Sequence, residues 1–313
     1  MKVKFWGVRG SIPTPLTSGQ IRRKIAAVVQ RVEKKDLESE EARERFLARL
    51  PEYLFGTVGG NTTSLEVRLS DDQIILFDAG SGIRELGIQL KKQRESKREY
   101  HMFFSHFHWD HLQGLPFFAP LFDPDVTMNF YSEDENFEEY IRDQMKFPYF
   151  PVSLDIMPAK KKFHVLEQTR CKIGDALVSW RSMKHPGGCR SYSVAEGKKK
   201  LIFSTDTELD EPDFQRTEEN AHYFQDADVL IMDSQYTLEE ALEKYDWGHS
   251  SYSLAVDFAS EWNIRNLVLF HHEPLYDDQK MHNILKSASW YLNHLDQKGL
   301  KIYLAREGLE IAL

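Results

Sequence analysis

Short apolar runs recur along this chain, many with the two-residue alternation of a strand. Residues 2–8 form one, and residues 63–69 and 73–77 follow, with Ser70-Asp71-Asp72 between them reading as a hairpin turn. Later strand-like runs are residues 101–104, 126–131, 176–182, 191–195, 200–204, 228–232, 266–270, 300–304 and 309–313, with Gly308 marking the turn between the last two. Helical patterns separate some of these. Thr237-Leu238-Glu239-Glu240 is a capping box that opens a helix towards Tyr245, and residues 251–262 and 280–295 are two more helical stretches. Strands in hairpin groups with helices between them predict helices packed on two stacked sheets.

One segment breaks this rhythm. Residues 21–50 are dense in charge and nearly free of Gly and Pro. Ile21, Ile25, Val28 and Val32 fall on one helix face. Ser39 before Glu40 and Glu41 marks the start of a second helix, and Phe46, Leu50 and Leu54 continue an apolar stripe. The pattern predicts an inserted helical hairpin over residues 16–55 within a single domain spanning residues 1–313. A solvated cap with one buried face is the plainer reading of it, and a lid or a homodimer contact the sharper one.

Composition narrows the classes. With 313 residues, 41% hydrophobic and 28% charged, the chain has the material for a sizeable core, which excludes wholesale disorder. A net charge of −9 disfavours broad nucleic-acid binding. No run approaches the ~20 apolar residues of a membrane helix. The first residues lack the apolar centre of a secretion signal, and Cys171 and Cys189 are the only cysteines, so a reducing cytoplasm is expected. Two lysine triplets, Lys160 to Lys162 and Lys198 to Lys200, could attract a phosphate, but the second reads better as a solvated hairpin tip.

The candidate chemistry lies in Ser105-His106-Phe107-His108-Trp109-Asp110-His111, directly after a predicted strand. Three imidazoles and a carboxylate this close are costly to assemble without a compensating positive charge, and they are ligands that Zn²⁺ accepts. His106 and His108, two apart, can point to one side while Asp110 and His111 reach a second point, which suggests two metals sharing one loop.

This motif resembles that of the metallo-β-lactamase fold superfamily of metal-dependent hydrolases. Asp78 in Phe77-Asp78-Ala79-Gly80, His185 in Lys184-His185-Pro186-Gly187-Gly188, Asp206 in Ser204-Thr205-Asp206 and His271 in Phe270-His271-His272 resemble its further motifs, in order. The resemblance implies an α/β fold, an αββα four-layer sandwich, with two divalent ions: zinc first, with manganese or iron accepting the same ligands. It implies His106, His108 and His185 on one metal, Asp110, His111 and His271 on the other, Asp206 bridging, and Asp78 bracing the loop. His272 is the alternative last ligand, and otherwise a substrate contact. Cys189, four residues after His185, reads as an ordinary thiol.

Two motifs narrow the branch. Trp247-Gly248-His249-Ser250-Ser251 is similar to an element of the tRNA 3′-processing endonucleases and cyclic phosphodiesterases, and Met232-Asp233-Ser234-Gln235 to its acidic partner motif. This implies that His249 acts on the phosphoryl group while Asp233 orients it, with Asp110 in the catalytic centre. Residues 5–13 and Gly59-Gly60-Asn61-Thr62-Thr63 resemble the same branch; the glycines suit close backbone approach to a ligand, and Asn61 reads equally as substrate contact or turn cap. Tyr149, in Phe147-Pro148-Tyr149-Phe150-Pro151, sits on a stiff aromatic loop suited to stacking a base or packing on the core. The resulting expectation is a phosphodiesterase using a metal-bridging hydroxide on a small or cyclic nucleotide. Alternatives are a tRNA-processing endonuclease, a hydrolase of an ester, thioester or lactone, and a diiron redox protein.

Overall fold

The computed structural model describes all residues except 94–97 and 296–298. In chain order the strands are β1 (Lys2–Gly7), β2 (Ser64–Arg68), β3 (Ile74–Phe77), β4 (Glu99–Phe103), β5 (Thr127–Ser132), β6 (Lys160–Val165), β7 (Arg170–Ile173), β8 (Ala176–Met183), β9 (Cys189–Glu196), β10 (Lys199–Ser204), β11 (Val229–Asp233), β12 (Asn266–Phe270), β13 (Lys301–Leu304) and β14 (Glu310–Ala312). They form two seven-stranded sheets, ordered β14-β1-β2-β3-β4-β5-β6 and β13-β12-β11-β10-β9-β8-β7. In the first, β3 to β6 run parallel; in the second, β10 to β13 do.

The short continuous apolar runs are explained by burial on both faces. In β3, Ile75 and Phe77 enter the space between the sheets, while Ile74 and Leu76 face the outer helices. Phe77 meets Phe203 of the opposite sheet at a ring separation of 5.2 Å. The outer face of the second sheet is covered by helices Tyr252–Glu261 and Asp278–His294, with Phe258 and Ile284 against Leu230 and Leu267. Three apolar clusters separate four layers, so the chain is an αββα sandwich.

Some expectations need correction. Strands β6 and β7 and the helix Ile83–Gln93 go beyond the sequence reading. The triplet Lys160 to Lys162 is part of edge strand β6, where lysines discourage pairing with another sheet. The turn at Gly308 joins two sheets rather than closing a hairpin: β13 pairs with β12, and β14 with β1.

The segment near the N-terminus leaves the sheet after Thr14 and returns at Gly60, where Thr14 N donates to Gly60 O at 2.7 Å. It carries helices Ser18–Val29, Glu40–Arg49 and Glu52–Phe55, the first two capped by Thr17 and Ser39. The first helix buries none of its residues, and Ile21, Ile25 and Val29 are 46%, 59% and 62% exposed. Of the predicted stripe, Ile21 and Ile25 therefore face solvent, while Val28 and Val32 are half-buried. Lys24 ties this helix down, pairing with buried Asp278 and donating to Gly56 O at 2.5 Å.

Candidate metal centre

Six chain segments reach one pit from the strand ends. Asp78 follows β3, the 105–111 loop follows β4, Asp206 follows β10, Asp233 ends β11, His271 follows β12, and His185 lies between β8 and β9. Strand ends are rigid, and their loops converge. Asp78, Asp206 and His271 all take positive φ (57°, 45° and 60°), a region non-glycine residues avoid unless their surroundings enforce it.

Two ligand groups result. His106, His108, His185 and Asp206 form the first, and Asp110, His111, Asp206 and His271 the second, with donor atoms within 4.8 Å of one another in each. Asp206 divides its carboxylate between them. Oδ2 lies 3.7 and 3.8 Å from the Nε2 atoms of His106 and His185, and Oδ1 lies 3.2 Å from those of His111 and His271.

The far sides of His111, His185 and His271 are held. Asp78 Oδ2 accepts from His111 Nδ1 at 2.8 Å, and its carboxylate also takes the Ser105 N–H and hydroxyl, each at 2.7 Å. Gly248 O accepts from His185 Nδ1 at 2.9 Å, and Gln235 Oε1 from His271 Nδ1 at 3.2 Å. These bonds fix the tautomers and leave Nε2 free to ligate. Ser11 N donates to Asp110 Oδ2 at 2.8 Å. Two glycines make room: a Cβ on Gly10 would fall 2.5 Å from the His271 ring, and one on Gly248 2.2 Å from His185 Nδ1.

The donor set fits divalent cations. His106 Nε2 and His111 Nε2 are buried without a hydrogen-bond partner, although His111 Nε2 is 3.2 Å from oxygens of both Asp110 and Asp206. Burial drives His106 well below the ordinary imidazole value, favouring the neutral ligand form. Burial would lower His111 too, yet Asp110, Asp206 and Asp78 hold it well above that value. Buried negative charge with orphaned imidazole nitrogens calls for positive charge.

Beside the second group, His249 Nδ1 donates to Asp233 Oδ2 at 2.7 Å. The His249 ring stacks on His271 at 4.9 Å and lies 5.2 Å from His185. Burial opposes charge on this imidazole, but Asp233 raises it to about 9.

Other candidates lie elsewhere. His272 is fully buried with Nε2 on Ala305 O at 2.8 Å, outside both ligand groups; burial lowers it to about 3. The Asn61 amide is engaged by the side chains of Glu307 and Ser81. Gly59 and Gly60 pack on Glu307 and Thr14, so their close approach is internal. Tyr149 is 77% exposed, while its neighbour Phe150 packs edge-on against Phe117. Cys189 is buried with its thiol on Thr205 O, no ligand. Sequence reasoning missed Gln235, Ser11 and the Gly248 carbonyl. Gln235 stood inside a recognised motif, but the other two act through backbone atoms and leave no side-chain signal.

The fold and this pit define a metal-dependent hydrolase of the metallo-β-lactamase type. The chain belongs to the family described as Beta-lactamase superfamily domain, whose model matches residues 73–272. It is 23% identical over 287 residues to Ribonuclease Z of Lactiplantibacillus plantarum, spanning 75% of this chain and 89% of that protein. Among solved structures, the metallo-β-lactamase fold protein YhfI of Bacillus subtilis superposes with a TM-score of 0.64 at 15% identity, covering 99% of this chain and 98% of the other. A diphosphatase of the PhnP family gives 0.61 at 15% identity, covering 100% and 97%. The two solved structures share the fold. Among the described residues, no helix is long and apolar enough to cross a membrane.

Proposed function

We propose that this enzyme hydrolyses phosphodiesters at a two-ion centre, and that its substrate is a small or cyclic nucleotide. The observation that carries this reading is the Asp233–His249 pair, 2.7 Å apart and packed against the second ligand group.

His106, His108 and His185 would hold one ion, Asp110, His111 and His271 the other, and Asp206 would touch both. Two divalent ions there, zinc being the best match to the donors, would activate water and neutralise phosphoryl charge. The remaining work falls to the chain itself. Asp78, Gln235 and the Gly248 carbonyl hold the imidazoles in their ligating tautomers. Asp233 fixes His249 through Nδ1 and keeps it protonated, and Nε2 has no partner among the described residues. That nitrogen is free to hand its proton to the departing alkoxide. The likeness to ribonuclease Z supports tRNA 3′-end cleavage as a second reading; the net charge of −9 weighs against it.

The test compares two diesters on zinc-loaded enzyme. His249→Ala should lower kcat by about 10²–10⁴ on a diester with an alkoxide leaving group, and far less on one releasing nitrophenolate, which needs no proton. Equal losses on both would remove the proton-donor role. Turnover of precursor tRNA with none of any cyclic or linear nucleotide would move the assignment to the second reading.

A further inference from the structure

A groove of about 590 Å³ opens beside His249, between the helices Leu238–Glu243, Tyr252–Glu261 and Asp278–His294. That volume is within the ~300–1,000 Å³ range of small-ligand sites. None of its walls ligates the metals. Leu238, Leu242, Tyr245 and Trp290 line it and stand 57%, 73%, 64% and 63% exposed. Four large apolar side chains around one hollow are poorly served by water.

The two aromatic rings are braced. Trp290 rests on the His294 ring at 3.9 Å, and Lys184 Nζ lies 4.4 Å from the centre of the Tyr245 ring. Among the polar residues of the groove, which include Glu208, His249 and Ser253, Asp257 offers an acceptor. One of its oxygens accepts from Tyr291 at 2.7 Å, and the other has no partner among the described residues. Aromatic faces beside a carboxylate oxygen match a flat ring that carries N–H donors.

The groove shares wall residues with the metal pit. His249 belongs to its wall and also to the Asp233–His249–His271 cluster. Glu208, another wall residue, accepts from Gly248 N at 2.9 Å, and the Gly248 carbonyl holds ligand His185.

We propose that this groove binds the base of a nucleotide whose phosphodiester lies at the metals, stacking it on Trp290 and Tyr245 and reading an amino group with Asp257. The proposal rests on the phosphodiesterase reading, and two measurements keep them separable. The first uses zinc-loaded full-length enzyme with two diesters sharing one leaving group: methyl p-nitrophenyl phosphate, which has no base, and the p-nitrophenyl ester of adenosine 5′-monophosphate. Trp290→Ala should raise KM for the adenosine ester about tenfold with kcat nearly unchanged, and leave the methyl ester unaffected. Asp257→Asn should raise KM for the adenosine ester more than for its uridine counterpart. The second is equilibrium dialysis of adenosine 5′-monophosphate against wild type and Trp290→Ala, which needs no turnover; binding should weaken by the same factor. Failure of the wild type to cleave either diester would overturn the phosphodiesterase reading alone. Equal nucleotide binding by wild type and Trp290→Ala, or equal effects on both diesters, would overturn the groove proposal, as would a second protein copy protecting Trp290 in place of nucleotide. Trp290 is largely exposed, so the variant should fold, which a thermal melt checks.

Discussion

The two ligand groups are built from the same residue types but differ in their contact with water. All four members of the second are buried, whereas in the first His108 is exposed and His185 half-buried. Support differs too. In the second group Asp78 holds His111, Gln235 holds His271, and Ser11 N holds Asp110. In the first, His185 is held by Gly248 and His106 by Ser105, while His108 meets His185 Nε2 at 3.2 Å and has no outer partner among the described residues. A preorganised buried group should bind an ion more tightly, and the open group is the more accessible to solvent.

The largest break in this contrast comes from the residue that both groups share. Asp206→Ala should empty both positions, read as loss of both zinc ions by native mass spectrometry and loss of turnover. Next is Asp110→Ala, which should remove the buried ion and abolish activity while the His106, His108 and His185 group still binds one equivalent. A variant that kept two ions and full rate would refute the assignment. His108→Ala should do the opposite, releasing the outer ion and retaining the buried one. Smaller still, Gln235→Ala should weaken only the buried position, by about 10–100-fold in a chelator competition. The smallest effect belongs to a deletion of residues 21–50: no ligand lies there, so zinc affinity in both groups should stay within about twofold, and loss of folding would show that the segment is part of the core.

The residues of this contrast were largely legible in the sequence, but the contrast itself was not. His106, His108, Asp110 and His111 stand in one motif, and Asp78, Asp206 and His271 each follow a run of β-branched and apolar residues that marks a buried strand. Burial depth and outer support depend on which loops meet, which no local pattern encodes. Gln235 reaches His271 across two strand ends, and Ser11 reaches Asp110 through its backbone N–H. The edges of the fold were hidden for another reason. β6 begins with three lysines and β7 is four residues long, so neither shows apolar alternation. In the helical segment, periodicity correctly marked Ile21 and Ile25 as sharing a face, but it could not tell a face on the core from one turned to solvent.

The most direct measurement is a stepwise zinc titration of metal-free enzyme, following hydrolysis of the p-nitrophenyl ester of adenosine 5′-monophosphate. The first equivalent should fill the buried group and give little turnover; activity should appear with the second, when the open group completes the pair. Full activity at one equivalent, or none at two, would contradict a two-ion phosphodiesterase.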